Sequence, residues 1–253
     1  MSELAVNSVW VGASLGPVHA ACLRSFLRAG HRVVLHCYSP PDDLPDGVEL
    51  ADADELIPQS QVFRHRKSGS YSTFSNLLRY RILARGLGLY ADCDVFCLRP
   101  IADADYIFAW QSDDLINGAV LKLPPGCPAL RDLNAIGEDF IPPWLSERER
   151  RRLRVRRMLG RARGLGALPW GSVGPRAVTW YIRQHGLEPA GSPIDRFYPV
   201  AHTHVSQLLD PELSLEELVT RRTDAVHLWN EVLRYMAPTE IPPTSPLHRM
   251  IAM

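Results

Sequence analysis

The chain carries no excess charge, since Lys+Arg 28 are matched by Asp+Glu 28. A neutral chain has no global field to draw it to nucleic acid or to an anionic surface, so such a partner requires a local patch. It also lacks any apolar run near the roughly 18 residues of a spanning helix, and Met1 to Val9 lack the basic start and apolar stretch of a leader. These absences lead to the expectation of a protein made and kept in the cytoplasm. Cys22, Cys37, Cys93, Cys97 and Cys127 are odd in number and contain no CxxC pair, which argues against a disulfide framework or a zinc ribbon. Reduced thiols, some of them buried, are the reading that remains. Neither an internal repeat nor a low-complexity linker divides the 253 residues, 46% of them hydrophobic, so one large α/β domain with a sizeable core is expected.

What is present is an alternation of short apolar runs with helical patterns, the mark of β-α-β units and a mostly parallel sheet. Ser8 to Gly12 reads as a first strand, Pro17 opens a helix that Gly30 stops, and Arg32 to Cys37 reads as a buried second strand. A Pro- and Asp-rich stretch holds a short strand near Val48 to Leu50, and a polar segment follows it to Ser70. From Ser72 to about Arg85 the spacing predicts a helix that Gly86 and Gly88 end, delivering the chain into an apolar strand, Leu89 to Leu98, interrupted by Asp92-Cys93-Asp94. Strands at Tyr106 to Trp110 and Gly118 to Leu123, helices at Pro128 to Ile136 and Pro175 to His185, and a short apolar segment at Ala225 to Trp229 complete the reading.

Two carboxylates at i and i+2 of a strand face the same side, so Asp92 and Asp94 can converge on one cation. A hard cation such as Mn2+ or Mg2+ takes oxygen ligands, and a diphosphate completes its shell. A short acidic pair is weak evidence alone; here its surroundings add to it. The run Phe74-Ser75-Asn76-Leu77-Leu78-Arg79-Tyr80-Arg81, followed by Gly86-Leu87-Gly88-Leu89-Tyr90-Ala91-Asp92-Cys93-Asp94, resembles the DXD-containing sugar-transferase family. That group includes glycosyltransferase family 32, the lactosylceramide α-1,4-galactosyltransferases and the initiating mannosyltransferases. Flanking segments fall in the family's order: Trp10-Val11-Gly12, Asn117-Gly118, Val173-Gly174-Pro175 and His227-Leu228-Trp229-Asn230.

The resemblance implies a GT-A type fold over residues 1–253, with a Rossmann-like nucleotide-binding core. The donor-binding part covers about 1–125, and an acceptor-facing part with a C-terminal flap covers about 126–253. It implies a retaining, metal-dependent transfer of a hexose from a nucleotide diphosphate sugar, UDP-sugar favoured and GDP-sugar the other choice, to a saccharide, glycolipid or protein acceptor, as in polysaccharide biosynthesis. In these terms Asp92, Asp94 and His227 hold the metal, and Arg79 acts with the aspartates in catalysis. Trp10, Val11, Asn76, Arg79, Asn117 and Trp229 meet the donor, Trp10 by stacking on the base and Trp229 by donating its indole N–H to the diphosphate. Asn76 replaces the family's usual Asp, which puts sugar preference in question, and Leu87 separates the family's paired glycines.

Other readings of the same residues differ. A haloacid-dehalogenase-like phosphatase would use Asp92 as nucleophile with Asp94, Lys122 and the pair Asp113-Asp114, although its motif opens the first strand of its domain. A non-catalytic nucleotide-sugar binder is the third reading. The dense arginine run from Arg148 to Arg163 stands apart from all three. Arginine forks bind phosphates, so the run suits an anionic membrane's inner face or a phosphorylated lipid, while a solvated helical face is the plainer reading.

Overall fold

Strand β1 (Val6–Trp10), two residues earlier than the expected Ser8 to Gly12, is buried up to its last residue, with its polar Asn7 and Ser8 side chains donating to the Leu87 and Ala91 carbonyls, and β2 (Val33–Cys37) is buried throughout, as expected of strands covered on both faces. They are joined by α1 (Gly16–Arg28), which has Pro17 in its first turn, and Gly30, at φ +85°, turns the chain after it. These features belong to a computed structural model that describes residues 4–161, 164–236 and 241–253. Next come β3 (Glu49–Asp52), α2 (Ser72–Ala84), β4 (Leu89–Ala91), β5 (Val95–Cys97), β6 (Ile107–Trp110) and β7 (Ile116–Lys122). Helices α3 (Pro128–Asn134), α4 (Glu147–Met158), α5 (Pro175–Gln184) and α6 (Leu215–Leu218) precede β8 (Ala225–His227), α7 (Asn230–Met236) and α8 (Pro246–Ala252).

The central sheet has six strands in the order β3-β2-β1-β4-β7-β6. Pairs β3/β2, β2/β1 and β1/β4 are parallel, and β7 runs antiparallel to both β4 and β6. The fold is thus α/β with a mostly parallel Rossmann-like sheet, as expected of the GT-A type. Alternation along the strands divides the core between the two faces. Tyr90 and Leu121 join Phe74, Leu78, Leu130, Val178 and Ile182 on the side of α2, α3 and α5. Leu89, Ala91 and Val120 join Leu23 and Phe26 of α1 on the other. A third cluster, with Phe96, Val205, Leu228 and Met250, packs the C-terminal helices against β5 and β8.

One expected element divides in two. The apolar segment from Leu89 to Leu98 is not one interrupted strand: β4 pairs in the central sheet, whereas β5 leaves it to pair antiparallel with β8. The switch requires the chain to bend at Asp92-Cys93-Asp94. Upstream, Gly86 and Gly88 sit at φ +67° and +123°, and a Cβ on Gly88 would run into the carbonyl of Ala5, which accepts the Leu89 N–H at 2.9 Å. Leu87 between them therefore leaves the turn intact. All five cysteines are free and buried.

Candidate functional site

In the order β3-β2-β1-β4 the parallel strands spread to both sides of β1, so the switch point lies between β1 and β4, whose carboxyl ends are Trp10 and Ala91. Open α/β sheets take their ligands at such a place. Asp92, Cys93 and Asp94 follow as a turn in which Val95 donates its N–H to the Asp92 carbonyl at 3.1 Å. The aspartates converge because of this turn, which corrects the expectation that strand alternation aligns them. Cys93 points inward, with Sγ 3.5 Å from the Val9 carbonyl, and burial pushes its thiol pKa up. The two carboxylates stay partly exposed.

Asp92 is fixed from α2. Arg79 donates from Nη2 to Asp92 Oδ1 at 2.7 Å and from Nη1 to Asn76 Oδ1 at 2.8 Å, while Tyr90 donates its hydroxyl to the same Asp92 oxygen at 2.7 Å. Asn76 in turn donates Nδ2 to the Ser72 carbonyl at 2.7 Å. The Arg79 guanidinium also lies 4.5 Å from the centre of the Tyr90 ring. Burial opposes the Arg79 charge, but Asp92 and the tyrosines beside it more than offset that and hold it protonated. The space for this arginine comes from Gly118, where a Cβ would stand 2.5 Å from Nη1.

Asp94 is fixed from the C-terminal part of the chain. β8 places His227 opposite Val95, with Nε2 3.3 Å from Asp94 Oδ1. Leu228 donates its N–H to the Asp94 carbonyl at 2.8 Å, and Asn230 donates its N–H to Asp94 Oδ2 at 2.9 Å. The intervening Trp229 adopts φ +53°, a left-handed conformation that is strained for a bulky residue. His19 lies behind, its Nδ1 donating to Leu15 O at 2.6 Å and its Nε2 accepting from Asn230 Nδ2 at 3.1 Å. Burial raises the Asp94 pKa, but His227, the Asn230 amide and His19 outweigh it and hold the carboxyl well below the usual carboxylate range.

One ligand atom each from Asp92, Asp94 and His227 lie within 4.8 Å of one another. The free Asp92 oxygen, the Asp94 carboxylate and the imidazole make an oxygen-rich set with one nitrogen, which suits Mn2+ or Mg2+. His227 Nδ1 is buried and has no partner among the described residues, a polar atom that the protein itself leaves unsatisfied.

No protein-family model matches the chain, and no curated protein matches it. Among solved structures it is similar to the apo structure of WbbM, a bifunctional glycosyltransferase, with 10% sequence identity and a TM-score of 0.37. The match covers 99% of this chain and 51% of that one, so this chain spans about half the length of that structure.

The structure brings Asp92, Asp94, His227, Arg79 and Asn76 together, but two of the expected roles change. Asn76 and Arg79 do not present a shared face to a sugar: both are buried, and they form a relay that holds Asp92. Trp229 does not offer its indole N–H to a diphosphate, since that group donates to the Val200 carbonyl at 2.8 Å, and its ring lies 4.1 Å from that of His227. For Ala225–His227 the expected flap is a buried strand of the body. Trp10 is half-buried against His19, with ring centres 4.6 Å apart, and Val11 packs at the edge of the α2-side core. Asn117 is also buried, donating to Gln111 Oε1 at 2.8 Å and accepting from the Ala119 N–H at 2.9 Å.

Tyr90, Tyr198, His19 and Asn230 were not singled out. Tyr90 stands inside the G-x-Y-x-D-x-D segment and Asn230 at the end of the His227-Leu228-Trp229-Asn230 segment, which are the signals available for them; Tyr198 and His19 have none. Tyr198 is buried with its ring 5.8 Å from that of His227, and it also forms a wall of an open cavity of about 520 Å3 bounded by Trp110, Asp113, Asp195 and Pro199. Lys122, needed for the phosphatase reading, is paired with Asp103 three residues along β7 from Ala119, whose carbonyl accepts the Asp92 N–H.

Proposed function

We propose that this chain is a metal-dependent, retaining glycosyltransferase that moves a hexose from a nucleotide diphosphate sugar, UDP-sugar favoured over GDP-sugar, to a saccharide-bearing acceptor. The observation that carries the reading is the cluster of Asp92, Asp94 and His227 at the switch point of the sheet. Asp92, Asp94 and His227 would hold Mn2+ or Mg2+. The bound metal supplies Lewis-acid neutralisation of the diphosphate as it leaves.

The chain's own residues do the positioning. Arg79 and Tyr90 occupy Asp92 Oδ1, which directs the other oxygen outward. The Asn230 N–H does the same for one oxygen of Asp94. Trp10 and Val11, after the carboxyl end of β1, would meet the base, and Asn117 and Trp229 would shape the donor pocket from behind, as supports. The cavity between Trp110, Asp113 and Tyr198 would admit the acceptor, whose hydroxyl would attack on the face from which the diphosphate departs. Residues of about 1–125 then supply most of the donor side, while about 126–253 supply His227 and Trp229 to it and Tyr198 to the acceptor cavity.

A thermal-shift panel of nucleoside diphosphates with and without Mn2+ tests the reading, because binding to the native state raises the melting temperature by mass action. UDP with Mn2+ should raise it, and chelation should cancel the rise. Donor sugar hydrolysis or transfer should follow the same dependence. If no nucleoside diphosphate shifts the transition with Mn2+ present, and no donor is turned over, the reading fails.

A further inference from the structure

Helix α4 plays no part in the site described above, and its sequence, ERERRRLRVRRM, sets seven arginines against two glutamates in an otherwise neutral chain. Its two faces differ. The inner face docks the helix: Arg150 donates to the Pro143 carbonyl, Arg157 donates to the Phe140 carbonyl at 2.9 Å, and Leu153 packs on the core. Both glutamates are engaged near the N-terminus. Glu149 closes a capping box with Ser146, and Glu147 pairs with Arg154 at 3.4 Å.

The outer stripe carries Arg148, Arg151, Arg152 and Arg156, all exposed and all without a carboxylate partner among the described residues. Helical spacing puts Val155 and Leu159 on that stripe with Met158 beside them. These three side chains are 48%, 61% and 85% exposed, respectively. A solvated basic face has no use for three protruding aliphatic side chains. A nucleic-acid backbone would take the charge and leave them in water. An anionic bilayer uses both, since its surface attracts the guanidinium groups while the aliphatic side chains enter the boundary between headgroups and acyl chains. The described residues contain no helix long and apolar enough to cross a membrane, so contact of this kind would be lateral. Arg163, the last residue of the run, lies outside the described residues.

We infer that the outer stripe of α4 docks the protein on the surface of an anionic phospholipid bilayer, with the arginines on the headgroups and Val155, Met158 and Leu159 inserted between them. This holds whatever reaction the acidic turn supports.

Co-sedimentation of the full chain with vesicles tests it. The protein should pellet with phosphatidylcholine vesicles containing roughly 30% phosphatidylglycerol, and not with pure phosphatidylcholine. Pelleting should weaken steeply as salt rises from about 50 to 500 mM. Joint Arg148→Gln, Arg151→Gln, Arg152→Gln and Arg156→Gln should lower partitioning by roughly tenfold or more. Val155→Ser with Met158→Ser and Leu159→Ser should lower it by roughly threefold or more, which a purely electrostatic contact would not show. All seven side chains are exposed, so both variants should melt with wild type; the single variant Arg152→Glu gives the same test of charge with less perturbation. Equal pelleting on neutral vesicles, or unchanged binding in either the arginine or the aliphatic variant, would overturn the inference. Displacement of wild type from the vesicles by a short DNA duplex at equal phosphate concentration would overturn it in favour of a nucleic acid.

Discussion

The two sides of the acidic turn are built differently. On the Asp92 side the carboxylate is held from a short stretch of chain, Asn76 and Arg79 on one helix and Tyr90 on the strand that follows, through bonds of 2.7 to 2.8 Å. On the Asp94 side the partners come from more than a hundred residues away: His227, the left-handed Trp229 and the Asn230 amide. The first side is a network that fixes one carboxylate, with only Arg79 Nε left without a partner among the described residues. The second holds backbone strain and a buried imidazole nitrogen without a partner among the described residues, features that collect where a ligand completes the structure. One flank therefore sets geometry, and the other is where binding is to be sought.

The largest expected effect breaks the binding flank. Asp94→Asn removes a carboxylate from the cluster but keeps its shape, so Mn2+ affinity measured by calorimetry in the presence of UDP should fall by roughly 100-fold, with transfer activity following. His227→Ala should weaken the metal by a smaller factor. If both variants bind Mn2+ as wild type does, these residues are not its ligands.

Breaking the structural flank should instead be read in stability. Arg79→Ala leaves Asp92 facing Tyr90 without a counter-charge and should cost about 3 kcal/mol in urea unfolding, since removing one partner of an enclosed pair strands the other. Gly118→Ala should reproduce part of that loss, because its Cβ occupies the space of Arg79 Nη1. Normal stability in both would mean that the relay carries no load.

Asn76→Asp sharpens the contrast further. The substitution places a carboxylate oxygen where Nδ2 now donates to the Ser72 carbonyl at 2.7 Å, so despite the new charge opposite Arg79 it should destabilise by about 1–2 kcal/mol. A gain in stability would show that the pair with Arg79 dominates.

The smallest effect lies outside both flanks. His36, on β2, donates Nε2–H to Asn7 Oδ1 at 2.9 Å, and burial, with a lesser contribution from Arg85, lowers its pKa to about 4. The folded state thus favours the neutral ring. That contribution is complete above the unfolded value near 6.5 and is lost as pH falls from 6.5 toward 4. Between pH 7.5 and 5.5 it should amount to about 1 kcal/mol, and His36→Gln should remove that part of the pH dependence.

Local pattern was enough for most of the fold. The apolar run within Val33–Cys37 and the glycines at 86 and 88 specify their elements because burial on both faces and positive φ are demands that a short window of sequence satisfies or does not, whereas the first strand, expected over Ser8 to Gly12, runs from Val6 to Trp10 with polar Asn7 and Ser8 inside it. The pair Asp92 and Asp94, and the helix bearing Asn76 and Arg79, were legible on the same terms. Which way Asn76 and Arg79 point was not. Nor was the split of Leu89 to Leu98 between two sheets, because β5 leaves the central sheet only where β8 offers it a partner.

By itself, then, the sequence determined the strands and helices and the acidic pair, through periodicity, glycine placement and residue chemistry, all of which act over a few residues. Only the tertiary structure decided that His227 stands opposite Val95 beside Asp94, that the Trp229 indole is committed to Val200, and that Tyr198 both lies beside His227 and lines the open cavity. Those contacts join segments more than a hundred residues apart or separated by loops, and their geometry is set by the packing of the C-terminal cluster against β5 and β8, which no local pattern encodes.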